Sequence, residues 1–254
     1  MDFTTTAQNK RNNSHAMRKE LKDAVEVTNR CQRNWDRSKP IFDEDLETLI
    51  HVAKKSPAKQ NETHYKVFVI KDPDTIYKIY RKTKHFALWS EVDEIENDGK
   101  TNTADMNVRN SQVWASVLFG FCDDWDQSVA RSAIHAIMDE KEEVKANVII
   151  EREKQRYFSM GISSGMVALS AAMMGYSTGY CSAFWPKEME EIVPGFIDLK
   201  ILLGIGYPHP NKNRREHEEQ LNKDIWNEKF KTGPDNEKWM YPSFDKKIEL
   251  KIIE

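Results

Sequence analysis

The feature that most constrains this chain is a run of thirty residues, 157–186, with no charged side chain, in a protein of which 31% is charged. Such a run has to be buried, either in the core of a domain or in a membrane. Its serine, threonine and glycine content, and the lack of a second run of this kind, argue against a membrane span. We therefore predict a long buried central helix in a soluble domain.

Small residues give this predicted helix a smooth strip, because Gly161, Gly165, Ala168 and Ala172 recur at about one-turn spacing. Another backbone could approach such a strip closely, while the neighbouring Ile and Met side chains provide apolar packing. Gly175 predicts the end of the helix. The sequence STGYCSAFW that follows is rich in aromatic and small residues, which predicts an extended segment lining a pocket.

Composition narrows the class of protein. The formal net charge of -3 argues against a general nucleic-acid binder, because neutralising phosphates requires an excess of lysine and arginine. The three cysteines, Cys31, Cys122 and Cys181, are widely spaced, match no zinc pattern and indicate no disulfide framework. The N-terminus is polar and shows no secretory signal. We predict a cytoplasmic protein without a metal site and without nucleic-acid or membrane partners.

The domain organisation follows from changes along the chain. Residues 1–13 are polar and predict a disordered tail, and 14–225 form the folded domain. The acidic tract at 86–106 is either a lid or an ordinary disordered loop. Residues 226–254 carry spaced aromatic residues without a core of their own, so we predict a C-terminal extension that wraps a partner subunit.

The secondary-structure pattern predicts an α+β fold. Apolar strands are expected at 65–71, 113–121 and 199–205, and long helical stretches separate them. Few strands among many helices favour a central antiparallel or mixed sheet flanked by helices over a doubly wound sheet. No Walker loop, dinucleotide-binding glycine motif or internal repeat is present.

Four short segments carry the candidate chemistry. They are the basic turn Asn29-Arg30-Cys31-Gln32-Arg33, the loop from Pro57 to Tyr65, GYSTGYCSA ending at Ala183, and GIGYPHPNKNRR ending at Arg215. Taken alone, the arginines of the first segment could bind an anion or simply be solvated surface. The order and spacing of the four segments, over most of residues 17–216, resemble the FMN-dependent nitroreductase family.

The resemblance implies a set of cofactor-binding residues. Arg30 and Arg33 match the family's phosphate-binding turn, in which Asn29 and Cys31 depart from the pattern, and the basic loop near the C-terminus points to Lys212 and Arg214. The family's partner subunit donates the second segment, here Pro57, Ala58, Lys59 and Asn61, with departures at Ala58 and Thr63. Near the flavin ring it implies Asn110, for which Asn107 is a rival, and the segment Tyr180, Cys181 and Ser182.

The resemblance also implies an activity. Family members are intertwined homodimers in which FMN takes a hydride from NAD(P)H and passes two electrons to a nitroaromatic, quinone or similar acceptor in the same pocket. The flavin does the chemistry, so no catalytic side chain is predicted, and a redox role for Cys181 is disfavoured because buried cysteines are usually inert. The alternatives are a flavin-binding protein without turnover, a dehalogenating or flavin-fragmenting member, and a helical interaction protein unrelated to the family.

Overall fold

The structure is a computed structural model that describes residues 3–61, 64–84, 109–124, 142–212 and 250–251. The chain divides into two units, Met1–Glu218 and Glu219–Glu254, and in the second unit only residues 250–251 are described. The predicted lid at 86–106 lies outside the described residues. The same holds for the predicted extension at 226–254, apart from residues 250–251.

The four strands of the first unit form one antiparallel sheet in the order β1-β2-β4-β3, which confirms the predicted α+β class. They are β1 (Tyr65–Ile70), β2 (Val117–Asp123), β3 (Ser177–Cys181) and β4 (Leu199–Gly206). The prediction of a strand from residue 113 was wrong, because Ser111–Val113 form a 3₁₀ turn that lies against the sheet. A Cβ atom on Gly204 would stand 2.2 Å from the Gln112 carbonyl oxygen.

Five α-helices surround this sheet in the described residues. They are α1 (Phe3–Thr28), α2 (Asp43–Lys55), α3 (Pro73–Arg81), α4 (Glu142–Met173) and α5 (Pro186–Ile192). The helix α1 begins at Phe3 and therefore includes most of the segment 1–13 that the sequence predicted to be a disordered tail. Neither proline nor glycine interrupts the segment, so the helix can propagate towards the N-terminus.

Each face of the sheet has its own apolar core. On one face Leu49 of α2 and Val167 of α4 pack on inward side chains of the central strands, Phe119, Leu203 and Ile205. On the other face α3, α5 and the 3₁₀ turn pack around Ile76, Val113, Leu118, Met189, Phe196 and Leu202. The central strands β2 and β4 are mostly buried on both faces, as their continuous apolar runs predict, whereas the edge strand β1 is mostly half-buried.

The central helix α4 is buried on one side only, which corrects the prediction that the whole uncharged run is buried. Val167, Ala168 and Ala171 are inaccessible, whereas Phe158 is 66% exposed and Ile162 and Met166 are 45% and 40% exposed. The periodicity of the sequence could not reveal this, because both sides of the helix are apolar. No helix in the described ranges combines the length and the hydropathy that a membrane span requires.

Candidate functional site

The basic turn at residues 30–36 lies along the free edge of β3. The Gln32 amide N–H donates to the Thr178 carbonyl oxygen over 2.8 Å, and the Tyr180 N–H donates to Cys31 Sγ over 3.3 Å. The backbones are so close that a Cβ atom on Gly179 would stand 2.7 Å from the Gln32 oxygen. Glycine is therefore required at position 179 for the turn to reach this edge.

The second half of the same segment pairs with the loop that follows β4. The Asp36 N–H donates to the Tyr207 oxygen and the His209 N–H donates to the Asn34 oxygen, both over 2.9 Å, and Trp35 forms a bridge with Pro208. Two segments that the sequence assigned to one anion site are therefore adjacent in the structure.

The two segments that meet at this junction carry three basic residues, Arg30, Arg33 and Lys212. The Arg30 side chain is exposed and makes no hydrogen bond or ion pair within the described part of the chain, and Lys212 is also exposed. The Arg33 side chain is half-buried. Gln32 Oε1 accepts hydrogen bonds from the backbone N–H groups of Arg33 and Asn34, at 2.9 and 3.1 Å, which fixes the turn between the arginines. Arg214 lies outside the described residues.

The three predicted ring-contacting residues at the end of β3 face different surroundings. Tyr180 packs against the core beneath α4 and lies within hydrogen-bonding reach of Ser164, which partly offsets the rise in its pKa caused by burial. Cys181 points to the opposite face, and burial raises the pKa of its thiol to about 12. That thiol stays protonated and enclosed, while Ser182 is exposed.

Asn110 lies in the protein interior, 2% exposed, where its side chain serves the fold. Its amide Nδ2 donates to the Lys84 oxygen over 3.0 Å, and its backbone N–H donates to Thr83 Oγ1 over 2.9 Å. These bonds join the two ends of the excursion predicted at 86–106. The rival residue, Asn107, lies outside the described residues.

The helix α4 presents an accessible apolar face beside these elements. We call this face the α4 stripe, and it consists of Phe158, Gly161, Ile162, Gly165, Met166 and Met173. A Cβ atom placed on Gly161 or Gly165 would meet nothing within 4 Å. Of the small-residue strip predicted from the sequence, Gly161 and Gly165 face open space in the described part of the chain, whereas Ala168 is buried and Ala172 is partly buried.

The second motif lies at the other edge of the sheet. Pro57, Ala58, Lys59 and Asn61 follow the end of α2 and lead into β1, which is three strands away from β3. Asn61 has a φ of 55°, a left-handed conformation that asparagine tolerates better than most residues. Ala58 and Asn61 border a cavity of about 470 Å³ whose walls include Ile50, Ala53, Val67, Val69 and Phe119.

The structure thus brings together Arg30, Cys31 and Arg33 with Tyr180 and with the loop that bears Lys212, and it keeps Pro57, Ala58, Lys59 and Asn61 apart from them. Sequence reasoning did not single out Gln32, Asn34 and His209, which hold the junction together. Gln32 and Asn34 flank Arg33 in the sequence, and His209 directly follows the GYP segment. This proximity to the predicted site residues was the available signal. No cluster of metal ligands occurs in the described ranges.

No protein-family model matches the chain, and no curated protein matches its sequence. Solved structures do match its fold. A nitroreductase family protein from Clostridium novyi NT is 16% identical with a TM-score of 0.50, over 78% of this chain and 90% of that one. A BluB-like flavoprotein from Clostridium difficile 630 is 18% identical with a TM-score of 0.52, over 76% and 92%.

Nitroreductase A from Vibrio parahaemolyticus RIMD 2210633 is 14% identical with a TM-score of 0.51, over 78% of this chain and 72% of that one. These identities are too low to carry residue roles from one protein to another, but the shared architecture covers most of each chain. The described part of this chain therefore has the fold of the nitroreductase family proteins, as the order of its motifs predicts.

Proposed function

We propose that this protein binds FMN and acts as a cytoplasmic, homodimeric oxidoreductase that takes electrons from NAD(P)H. The observation that carries the proposal is the junction of the basic turn 30–36 with the loop 207–212 at the edge of β3. This junction brings the turn that bears Arg30 and Arg33 next to the loop that bears Lys212, and within the described residues the Arg30 guanidinium makes no hydrogen bond or ion pair. The absence of a disulfide among the three free cysteines fits a reducing compartment.

The donor set fits the phosphate end of FMN. A phosphate monoester is close to a dianion at neutral pH, and planar guanidinium groups bind it through paired, charge-assisted hydrogen bonds. Arg30, Arg33 and Lys212 are the described residues that would hold it. The hydrogen bonds that Gln32 Oε1 accepts from the Arg33 and Asn34 N–H groups organise this turn before any ligand binds. This organisation lowers the entropic cost of binding.

The surroundings also fit a flat, apolar ring system. Tyr180 and the exposed Ser182 end the strand that runs beside the basic turn, and the α4 stripe offers glycines with open space above them. When bound, the flavin supplies the hydride and electron chemistry. The protein then has to bind and orient the ring, exclude water and donate hydrogen bonds, and no side chain has to act as acid or base.

The separation of the two motifs within one chain supports the homodimer that we propose. Neighbouring strands lie about 4.8 Å apart, so β1 and β3 are separated by roughly 14 Å, and the Pro57–Asn61 loop cannot complete the Arg30 site of its own chain. A second copy packed on the α4 stripe could supply that loop. An exposed apolar helix face of this kind is unusual on a monomer and is typical of an interface.

NAD(P)H as the electron donor, and a nitroaromatic, quinone or similar electron acceptor, belong to the proposal through the family resemblance alone. A flavin-binding protein without turnover is the second candidate. Ala58 favours it, because at this position the family motif has a serine, whose hydroxyl could bind the flavin.

The test is a flavin titration followed by anaerobic reduction. The purified protein should bind FMN, and Arg30→Ala should weaken binding by roughly 1.5–3 kcal/mol, the range for a hydrogen bond to a charged group. Arg18→Ala, an exposed arginine on α1, is the matched control and should bind normally. Addition of NADH or NADPH without oxygen should bleach the bound flavin. Binding without bleaching would leave the second candidate, and no binding would overturn the proposal.

A further inference from the structure

His209 lies where the basic turn 30–36 meets the loop 207–212, and no role was predicted for it from the sequence. Its backbone N–H donates to the Asn34 oxygen over 2.9 Å, one residue from Arg33, and Lys212 follows three residues later. Pro208 and Pro210 flank it, and their fixed φ angles restrict the backbone on both sides. The His209 imidazole is therefore held on a short loop of restricted backbone conformation, which also bears Lys212 and pairs with the basic turn.

One hydrogen bond determines which nitrogen of this imidazole carries the proton. The Asn211 N–H donates to His209 Nδ1 over 3.1 Å, so Nδ1 acts as an acceptor. In the neutral ring the proton is then on Nε2, which becomes a donor with a defined direction. Nε2 has no hydrogen-bond partner in the part of the chain that the structure describes, and the side chain is only half-buried.

We propose that His209 is a further ligand of the FMN phosphate, through its Nε2–H. This inference rests on the proposed function. An oriented N–H donor on a loop shared with Lys212 suits a phosphate oxygen better than the apolar flavin ring, because an anion rewards each convergent donor. The arginines would supply charge, whereas His209 would supply an N–H donor whose direction the Asn211 bond fixes.

The experiment compares FMN with riboflavin, which has the same ring and ribityl chain but no phosphate. Quenching of flavin fluorescence gives the dissociation constant of each flavin for each variant. His209→Ala should weaken FMN binding roughly ten- to a hundredfold, as expected for the loss of a hydrogen bond to a charged group, and should leave riboflavin binding unchanged. His51→Ala is the control, because His51 is an exposed histidine on α2.

Two more variants keep the test decisive if His209→Ala folds poorly in thermal unfolding. His209→Gln retains an N–H donor and should keep most of the FMN affinity, whereas His209→Glu places a negative charge beside the phosphate and should lose more than the alanine variant. Equal losses for FMN and riboflavin, or no loss for either, would overturn the role of His209. If the unmodified protein binds FMN, such a result leaves the proposed function intact; if it does not, both inferences fail.

Discussion

The two edges of the sheet differ in how they are finished. At the β3 edge the turn 30–36 closes the strand with backbone hydrogen bonds, and Gly179 leaves no room for a side chain. At the β1 edge Val67 and Val69 are only half-buried, and a cavity of about 470 Å³ remains between the strand and α2. The β3 edge is therefore covered by a turn of the same chain, whereas the β1 edge borders an unfilled cavity.

The two edges also carry different sequence motifs, and these motifs do not meet within one chain. The β3 edge carries Arg30 and Arg33 beside it, and the β1 edge carries the Pro57–Asn61 loop. In the isologous dimer that we propose, each symmetry-related copy would bring its β1 edge to the β3 edge of the other, so that the two motifs meet. The contrast between the edges can therefore be tested by experiments on assembly, on mixing and on packing.

The largest effect is expected from a charge in the α4 stripe. Ile162→Glu would force a carboxylate into an apolar interface twice per dimer, which costs about 3 kcal/mol or more unless the group is paired. We expect a monomer in analytical ultracentrifugation and loss of FMN binding at both sites. Lys154→Glu adds the same side chain at an exposed position of α4 and should leave the dimer intact. A dimeric Ile162→Glu variant would refute the assignment of this face.

A mixing experiment tests directly whether the two edges complete each other. Arg30→Glu damages the β3 edge and Asn61→Asp damages the β1 edge, with aspartate chosen because it also tolerates a positive φ. Each variant alone should bind FMN poorly. After joint unfolding and refolding, random pairing should restore about a quarter of the sites, because each mixed dimer has one intact site.

Placing both substitutions in one chain is the control for this mixing, and it should never recover when refolded with itself. No recovery in the mixed sample, although mixed dimers are detected by mass spectrometry, would mean that both motifs act within a single chain.

The smallest effects are expected from two substitutions that compare how tightly the two edges are packed. Gly179→Ala would push a methyl group to 2.7 Å from the Gln32 oxygen, and overpacking of this kind costs about 1–3 kcal/mol. Val67→Ile adds one methylene at the β1 edge, where the cavity can accept it, and should change stability by less than about 0.5 kcal/mol. Urea unfolding measures both, and equal losses would mean that the edges are packed alike.

Much of this architecture could be predicted from the sequence. The uncharged run predicted the central helix, and Gly175, which has a φ of 88°, marked its end. The class of fold and the adjacency of the Arg30 and Lys212 segments also followed from motif order. Such features are local, or depend on patterns that a single chain displays.

The remaining features depend on contacts that the sequence does not display. The exposed face of α4 is as apolar as its buried face, so its accessibility becomes visible only when the packing of α2 is known. The apolar Val113 is typical of a strand start, but the glycine at position 204 lets residues 111–113 pack against the sheet as a 3₁₀ turn. The role that we propose for His209 was not predicted, because the orientation of its ring depends on a hydrogen bond from the Asn211 N–H that arises from the shape of a loop.

The pairing of the basic turn with β3 also has a consequence for folding order. Cys31 and Tyr180 are 149 residues apart in the sequence, and Asn34 meets the loop that follows the last strand of the sheet. Contacts of such long range form slowly, since the chain between them must first lose its freedom. If this junction binds a phosphate as we propose, a growing polypeptide would lack the site until β4 and the loop after it had been synthesised, and the bound ligand would then hold residues 30–33 against residues 207–212.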